Sequence, residues 1–318
     1  MKYFIRTFGC QMNESDSERI ASFLESQGYE PIKNADSSAE ALAKADLIVV
    51  NACSVRQSAI DRIFGLNKKF KNLKAKKILT GCIIKTDKGK FLKFFDDVLT
   101  INELLGKNYL ELQPKYLNPK SAFVPIMTGC NNFCSYCVVP YTRGREISRP
   151  TNEIITEVKN LAKKNYKEII LLGQNVNSYL PAGKAGKYDF PNLLRKLNKI
   201  PGNLQIKFLT SHPKDMSEDL INVIAECANI SKKIHLPIQS GDDKILKLMN
   251  RGYTVKKYLN LIEKIRKKIP EAKISTDVIV GFPGETKKQF ENTVKIFKKI
   301  NFDRAYINKY SVRPGTIA

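Results

Sequence analysis

The sequence lacks any run of the roughly 20 apolar residues that a membrane-spanning helix needs. Its first residues, MKYFIRTFGC, enter an alternating apolar pattern directly and lack the charged region, apolar core and small-residue cleavage site of a signal peptide. These absences argue against a membrane-spanning or secreted protein. We therefore expect a cytoplasmic protein.

Acidic residues are scarce: 31 Asp and Glu stand against 54 Lys and Arg, a formal net charge of +23 at pH 7. Such an excess favours a polyanionic partner such as nucleic acid, because binding releases counterions. The lysines are spread over nearly every predicted helix, however, so a diffuse charge without a binding face explains them equally well. Charge alone leaves both interpretations open.

Histidine is rare and the cysteine count is odd, with two His and seven Cys in the chain. A disulfide framework is not expected in a reducing compartment. Seven cysteines in such a chain instead favour ligation of a metal or a cluster.

The length of 318 residues predicts two domains, since domains contain roughly 100 to 200 residues. In the first part, strands (YFIRTF, ADLIVVNAC, KKILTGC) alternate with helices, which is typical of a parallel sheet. The segment QPKYLNPKSA then loses periodicity and contains two prolines. We predict a Rossmann-like N-terminal domain over residues 1–113, a linker over 114–122 and a second domain over 123–318.

The second domain alternates six predicted strands with five helices, which predicts a partial (β/α)6 barrel. Sites in such folds lie at the C-terminal ends of the strands. The insertion LPAGKAGKYDFP, residues 180–191, is predicted to be a surface loop, with contact to substrate as the alternative. The predicted strands are 123–128, 168–172, 205–209, 233–237, 274–280 and 304–310, and the predicted helices are 151–164, 191–199, 217–228, 254–268 and 286–300.

Three cysteines, Cys10, Cys53 and Cys82, are far apart in sequence, yet each ends an apolar strand (IRTFGC, IVVNAC, ILTGC). Residues just past the ends of parallel strands lie at one edge of the sheet, so these three thiols are expected to converge. The alternative is three unrelated buried cysteines, because free Cys is commonly buried.

Cys130, Cys134 and Cys137 form a C-x3-C-x2-C pattern directly after a predicted strand. Zinc would close its tetrahedron with a fourth Cys or His, and only His212 and His235 are available. A 4Fe-4S cluster held by three thiolates instead leaves one iron open to a small-molecule ligand, and we favour this interpretation. The seventh cysteine falls on a predicted apolar helix and is expected to be a core residue.

The C-x3-C-x-aromatic-C pattern, together with the upstream cysteines, resembles the radical S-adenosylmethionine (SAM) methylthiotransferases, and GCQMN and GQNVNSY resemble their tRNA branch. The resemblance covers nearly the whole chain. It rests on GCQMNESDSE, NACSVR, GCNNFCSYCVVPYTRGREISRP, LLGQNVNSY, TSHP, HLPIQSG, LMNRGYT, VGFPGET and YSVRPGT.

The resemblance implies two 4Fe-4S clusters and SAM as cofactors. The cluster on Cys130, Cys134 and Cys137 would bind SAM and, with one electron, cleave it to methionine and a 5'-deoxyadenosyl radical. That radical would take hydrogen from C2 of an N6-isopentenyl (dimethylallyl) adenosine beside the anticodon of tRNA. The second cluster, on Cys10, Cys53 and Cys82, would supply or carry the sulfur, which another SAM methylates.

The resemblance also implies SAM contacts near the cluster loop and at the strand ends. Arg143, Arg145 and Arg149 follow the loop and are candidates for contact with SAM or RNA phosphate, the alternative being a solvated face. The two histidines are expected to be hydrogen-bonded structural residues. For the glycines, turn geometry without ligand contact is the alternative. The predicted SAM-binding residues are Tyr136, Gly173, Gln174, Gln239, Ser240, Gly281 and Glu285.

The family carries a C-terminal RNA-binding TRAM domain, and this sequence stops at YSVRPGTIA, where that domain should begin. The expected partners are tRNA carrying isopentenylated adenosine and a one-electron donor such as flavodoxin or ferredoxin, with a monomeric chain. Two other functions stay open: the same chemistry on an aspartate of a ribosomal protein, and a non-catalytic, metal-stabilised RNA-binding protein.

Overall fold

The computed structural model describes residues 1–32, 42–53, 57–70, 72–106, 109–181 and 189–318. The middle of the predicted loop over 180–191 and the last three residues of the NACSVR motif lie outside this part of the chain. No helix among the described residues is long and apolar enough to cross a membrane. The chain forms two compact units: Met1–Leu117 with Tyr141–Arg143 and Arg313–Gly315, and Asn118–Pro140 with Gly144–Val312 and Thr316–Ala318.

The first unit is built on a parallel sheet in the order β2-β1-β3-β4-β5. The central strand, LIVVNAC, is buried at every position, as expected for a strand whose two faces are both covered by helices. Its neighbours on either side pair with it in parallel register. The strands are β1 (Lys2–Phe8), β2 (Glu30–Pro31), β3 (Leu47–Cys53), β4 (Lys76–Cys82) and β5 (Asp97–Val98).

Helices cover both faces of this sheet, and their apolar residues form two clusters, one around Phe91 and one around Ile20. The segment after β3 forms two helices rather than one, because the first ends at Gly65, a residue with poor helix propensity. The helices are α1 (Gln11–Ser26), α2 (Gln57–Gly65), α3 (Asn67–Phe70), α4 (Lys88–Phe91) and α5 (Ile101–Leu105).

The second unit contains two three-stranded parallel sheets, ordered β10-β9-β6 and β11-β12-β13. The strands follow one another in chain order around a partial barrel, and a bridge between Ile206 and Ile230 lies where the two sheets meet. A short antiparallel pair, which the sequence did not predict, closes the cysteine loop. The strands are β6 (Ser121–Pro125), β7 (Met127–Thr128), β8 (Ile147–Ser148), β9 (Glu168–Leu172), β10 (Gln205–Phe208), β11 (Lys233–His235), β12 (Lys273–Val280) and β13 (Arg304–Lys309).

Three helices of the second unit begin at polar caps: Ser217, Thr254 and Thr286 each accept a hydrogen bond from a backbone N–H of the first turn. The five longer helices bury their apolar faces against the strands, which is why the sequence pattern located these five within about two residues. The short helices Val139–Thr142 and Asp243–Leu248 were not predicted. The predicted α/β architecture is therefore confirmed. The helices are α6 (Val139–Thr142), α7 (Thr151–Lys163), α8 (Phe190–Asn198), α9 (Glu218–Glu226), α10 (Asp243–Leu248), α11 (Val255–Lys268) and α12 (Lys287–Ile300).

Candidate cluster and cofactor sites

The first unit brings Cys10, Cys53 and Cys82 together at the C-terminal edge of its sheet. Cys53 and Cys82 are the last residues of β3 and β4 and stand opposite each other in the parallel register. Their side chains are joined by a hydrogen bond. Cys10, which precedes α1, is close enough to Cys82 for the two thiols to interact electrostatically. Parallel strand ends therefore gather three thiols that lie far apart in sequence.

A buried amide pair holds this edge of the sheet in place. The side-chain amide of Asn13 donates to Asn51 Oδ1 at 2.9 Å, and the amide of Asn51 donates to the backbone oxygen of Asn13 at 2.8 Å. Asn13 Oδ1 also accepts from the backbone N–H of Cys10 at 3.3 Å. Both amides are completely buried. They tie the start of α1 to β3 and so fix Cys10 relative to Cys53.

Arg143 also belongs to this site. Its Nε donates to Cys82 Sγ at 2.9 Å and its Nη2 donates to Asp16 Oδ2 at 2.6 Å. The sequence suggested SAM or an RNA phosphate as its partner; the structure instead gives it a cysteine and a buried carboxylate. The hydrogen bond from Cys53, together with the charge and hydrogen bond of Arg143, lowers the pKa of Cys82 to about 6 in spite of burial.

Replacing Arg143 with Met should raise the pKa of Cys82 by about one unit or more, because a cation beside a thiol favours the thiolate. The measurement is the thiolate absorbance of the cluster-free chain followed against pH, which requires no access of a reagent to the buried sulfur. A Cys82→Ser chain should lack this titration and so identifies it. An unchanged midpoint in the Arg143→Met chain would contradict the expectation.

The second unit places Cys130, Cys134 and Cys137 in one loop between β7 and α6. The backbone N–H of Cys137 donates to the carbonyl of Cys134 at 2.9 Å, which folds the loop into a turn. Burial raises the pKa of Cys130, and it raises that of Cys137 to about 12. The three thiols interact electrostatically with one another. They are therefore neighbours, and loading them with a metal cluster requires the release of protons.

The segment LMNRGYT forms hydrogen bonds with this loop. The carbonyls of Leu248 and Met249 accept hydrogen bonds from Ser135, at 2.7 and 3.1 Å. The side-chain amide of Asn250 donates to the backbone oxygens of residues 132 and 133. The next residue, Arg251, donates to Cys134 Sγ and to the Tyr136 hydroxyl, at 3.4 Å each. Four successive residues thus fix the shape of the cysteine loop.

Two of the predicted SAM-binding residues, Gln174 and Gln239, hold buried side-chain oxygens that have no hydrogen-bond partner within the described part of the chain. Gln239 also has a φ of 67°, a left-handed conformation that costs a non-glycine residue about 1–3 kcal/mol. Gly173 must lack a side chain, because a Cβ there would overlap Met127. Unpaired acceptors and a strained backbone at two strand ends are typical of a ligand site.

The other predicted SAM-binding residues contact the protein itself. The Ser240 hydroxyl is fully buried and accepts from the backbone N–H of Asp242 at 3.3 Å. The Glu285 carboxylate accepts from the N–H of Gly281 at 2.6 Å and closes the turn after β12. Tyr136 is half-buried, and burial raises the pKa of its hydroxyl well above the usual value. For all seven predicted residues, contact with SAM stays a prediction.

Both histidines are hydrogen-bonded, as expected. His235 contacts Ser275 Oγ through Nδ1 and Asp277 Oδ2 through Nε2, each at 2.9 Å. His212 is buried, and its Nδ1 accepts from the N–H of Lys214 at 3.2 Å, so the neutral ring carries its proton on Nε2. Burial, with added repulsion from nearby cations, lowers the pKa of His212 to about 2.

The neutral state of His212 should make folding stability depend on pH. Below about pH 6.5, His212 of the unfolded chain binds a proton, whereas His212 of the folded chain stays neutral. The free energy of unfolding should therefore fall, relative to a His212→Asn chain, by up to about 1.4 kcal/mol for each pH unit. Denaturant unfolding of both cluster-free chains between pH 7 and pH 4 measures this difference. Parallel curves would contradict it.

The other two arginines that follow the cysteine loop, Arg145 and Arg149, have different surroundings. Arg145 is exposed and lies over the ring of Phe133, with its guanidinium carbon 4.3 Å from the centroid. Arg149 is buried and donates to Glu157 Oε2 at 2.7 Å and to the carbonyl of Pro125 at 2.9 Å. The suggestion that Arg149 contacts RNA phosphate is therefore wrong, because its guanidinium is buried and is neutralised by the carboxylate of Glu157.

Among the residues that the structure describes, no group of three or more His, Cys, Asp or Glu is arranged to hold a single metal ion. A four-iron cluster is wider than one ion, so its thiolates stand farther apart than the ligands of a zinc. Each cysteine trio fits such a cluster in chemical terms: the thiols are neighbours, and an arginine donates a hydrogen bond to one of the three sulfurs.

The partial barrel with its three-cysteine loop defines a radical SAM protein. The chain matches the Radical SAM superfamily over residues 124–297 and the Uncharacterized protein family UPF0004 over residues 2–101. Its fold is similar to that of a solved radical SAM methyltransferase, TsrM from Kitasatospora setae, with a TM-score of 0.70 at 13% identity over 99% of this chain and 76% of that one. Membership of the superfamily implies SAM and one 4Fe-4S cluster.

Comparison with curated relatives identifies the family within this superfamily. The chain is 43% identical over 353 residues to the tRNA-2-methylthio-N(6)-dimethylallyladenosine synthase of Clostridium botulinum strain Loch Maree, covering 100% of this chain and 76% of the relative. A protein of the same name from Clostridium novyi strain NT is 43% identical over 351 residues, with the same coverage. The chain belongs to this family of radical SAM methylthiotransferases.

Sequence reasoning missed the residues that approach the sulfurs from elsewhere in the chain. Arg251 lies 117 positions from Cys134, and only the fold brings the two together. The sequence marks Arg143 as a candidate site residue, but it does not predict contact with Cys82, which lies 61 positions away. A single arginine within LMNRGYT gives no local signal of burial. The family resemblance marked the motif without assigning its residues a role.

Proposed function

We propose that the chain adds a methylthio group to C2 of N6-isopentenyladenosine in tRNA. The observation that carries this proposal is the pair of cysteine trios, each gathered in its own unit, in a chain 43% identical to synthases named for this reaction. The excess of basic residues is consistent with a polyanionic substrate.

In this proposal Cys130, Cys134 and Cys137 hold the radical SAM cluster, and Gln174 and Gln239 bind SAM beside it. A cluster bound there would supply the electron that cleaves SAM to methionine and a 5'-deoxyadenosyl radical. The unpaired side-chain oxygens of the two glutamines are acceptors, which suits the ammonium group or a ribose hydroxyl of SAM. The left-handed backbone of Gln239 is a second sign of a functional position at this strand end.

We further propose that Cys10, Cys53 and Cys82 hold a second 4Fe-4S cluster, the source or carrier of sulfur. Three observations support it: the register that pairs Cys53 with Cys82, the amide pair that fixes Cys10, and the low pKa of Cys82. A thiol that ionises near neutral pH is ready to ligate iron without a large proton cost. Arg143 and its partner Asp16 hold the Cys82 sulfur in position.

The remaining partners belong to the same proposal. An external one-electron donor of the flavodoxin or ferredoxin type is needed, because SAM cleavage consumes an electron. We propose a monomer acting in the cytoplasm. The two relatives described above are named for a tRNA reaction, which favours tRNA over a ribosomal protein as the substrate.

The test is anaerobic. The chain is reconstituted with iron and sulfide and supplied with SAM, a reductant and isopentenylated tRNA, and 5'-deoxyadenosine and the methylthiolated nucleoside are both quantified by mass spectrometry. Both should form, with roughly eight irons per chain. Deoxyadenosine without modified nucleoside would contradict the substrate, and neither product from a fully loaded chain would contradict the enzymatic function. A single zinc per chain would favour the RNA-binding alternative.

Three controls accompany this test. Cys134→Ala should abolish both products. Cys227→Ala makes the same chemical change at a buried cysteine that follows α9 rather than lying within it, and both products should persist. Unmodified tRNA without the isopentenyl group should give deoxyadenosine at most.

A further inference from the structure

Arg251 is a buried cation in the second unit, with only 5% of its surface exposed. Its Nε donates to the Tyr253 hydroxyl at 3.2 Å and its Nη2 to the carbonyl of Pro237 at 3.1 Å. Its Nη1 donates to Cys134 Sγ and to the Tyr136 hydroxyl, at 3.4 Å each. The guanidinium is therefore well supplied with hydrogen bonds.

These partners do not neutralise its charge. Among the described residues, no carboxylate forms an ion pair or a hydrogen bond with Arg251; its acceptors are two phenols, a carbonyl and a cysteine sulfur. A buried charge without a counter-charge is strongly destabilising. By contrast, the buried guanidinium of Arg149 in the same unit is paired with the buried Glu157. The position of Arg251 therefore calls for an anion in addition to these partners.

Cys134 supplies the route to that anion. Its sulfur is the only partner of Arg251 within the described chain that becomes negative in the proposed site. With three thiolates bound, a 4Fe-4S cluster carries net negative charge and gains another on reduction. A hydrogen bond from a cation to a ligand sulfur favours the more negative, reduced form. The location of Arg251, against the cysteine loop and the end of β11, suits this role.

We infer that Arg251 is the buried counter-charge of the radical SAM cluster, a positioning residue that raises the reduction potential of that cluster through Cys134. The inference rests on the proposed ligand set Cys130, Cys134 and Cys137. The electron comes from an external one-electron donor, and no bond is made or broken at Arg251. In the absence of the cluster, the same guanidinium is an uncompensated charge that weakens the fold.

The test uses the full chain with Cys10, Cys53 and Cys82 replaced by Ala, so that only one cluster remains. The reduced fraction is measured by EPR at poised potentials. Arg251→Met should shift the equilibrium about tenfold toward the oxidised form, which for one electron is a potential about 59 mV more negative. Arg251→Lys keeps the charge and should recover most of the shift. A shift below about twofold in a fully loaded Arg251→Met chain would overturn the inference.

Unfolding of the cluster-free chains provides the second measurement. Arg251→Met should leave their stability unchanged or increase it, because it removes an uncompensated charge. The matched variant Arg149→Met should destabilise them, because it leaves Glu157 buried without a partner. If Arg251→Met is as damaging as Arg149→Met, or if the Arg251→Met chain fails to fold, the fold itself needs this cation and the inference is overturned.

The iron content separates this inference from the proposed function. With Arg251 intact, the triple-alanine chain should bind about four irons. If it binds none, the ligand assignment of the proposed function is contradicted. If it binds four irons and the reduction potential of the cluster is the same with and without Arg251→Met, only the role of Arg251 is contradicted.

Discussion

A Cys82→Ala chain should cleave SAM and yet form no detectable methylthiolated nucleoside. Cys82 ends β4 in the first unit, receives hydrogen bonds from Cys53 and Arg143, and belongs to the proposed sulfur cluster. The cysteines of the radical SAM loop all lie in the other unit. Removing Cys82 should therefore stop sulfur delivery and leave radical generation in place. The readout is the ratio of modified nucleoside to 5'-deoxyadenosine in the same anaerobic reaction.

Iron analysis completes this prediction. The Cys82→Ala chain should retain about four irons of an expected eight, whereas Cys227→Ala should retain all of them. Formation of the modified nucleoside at the normal rate by a Cys82→Ala chain would show that the first cysteine trio is not the sulfur source. Loss of SAM cleavage would instead indicate that Cys82 supports the radical chemistry or the fold of the whole chain.

Much of the fold was predictable because its strands are continuous apolar runs and its helices carry one apolar face. β3, buried at all seven positions, could not be mistaken for a loop. The short pair β7 and β8 was missed for a physical reason. The residues of β7 fall at the end of the strand predicted over 123–128, whereas β8 has only two residues and so no periodicity to detect. The pairing of the two is made across the cysteine loop.

The site was predictable where position along a strand decides it. Cys10, Cys53 and Cys82 converge because parallel strands end at one edge, a property of the topology that the sequence pattern already contains. The arginines that follow the cysteine loop were not predictable, because charge in a sequence does not reveal burial. In the sequence they look alike, yet one contacts a cysteine, one lies on a phenyl ring and one forms a buried ion pair: Arg143, Arg145 and Arg149, respectively.

Gly81→Ala should destabilise the first unit by about 4 kcal/mol and prevent loading of its cluster, because a strained backbone and an overpacked contact add together. Gly81 has a φ of 106°, which an L-residue adopts only with strain of about 1–3 kcal/mol. A Cβ there would also overlap the carbonyl oxygen of Ala52 and lie 2.6 Å from Asn51 Oδ1. Because these atoms belong to the neighbouring strand, β3 and β4 would have to separate, at an overpacking cost of about 1–3 kcal/mol.

Separation of β3 and β4 would disturb the first cysteine trio, because Gly81 precedes Cys82 and lies against the Asn51 amide that fixes the start of α1. Gly89→Ala is the matched control: the same methyl group enters α4, where a Cβ meets no atom within 4 Å, and stability should be unchanged or slightly higher. Denaturant unfolding and iron content of both chains measure the difference. If Gly81→Ala proves as mild as Gly89→Ala, the close approach of β3 and β4 does not control the geometry of the first cysteine trio.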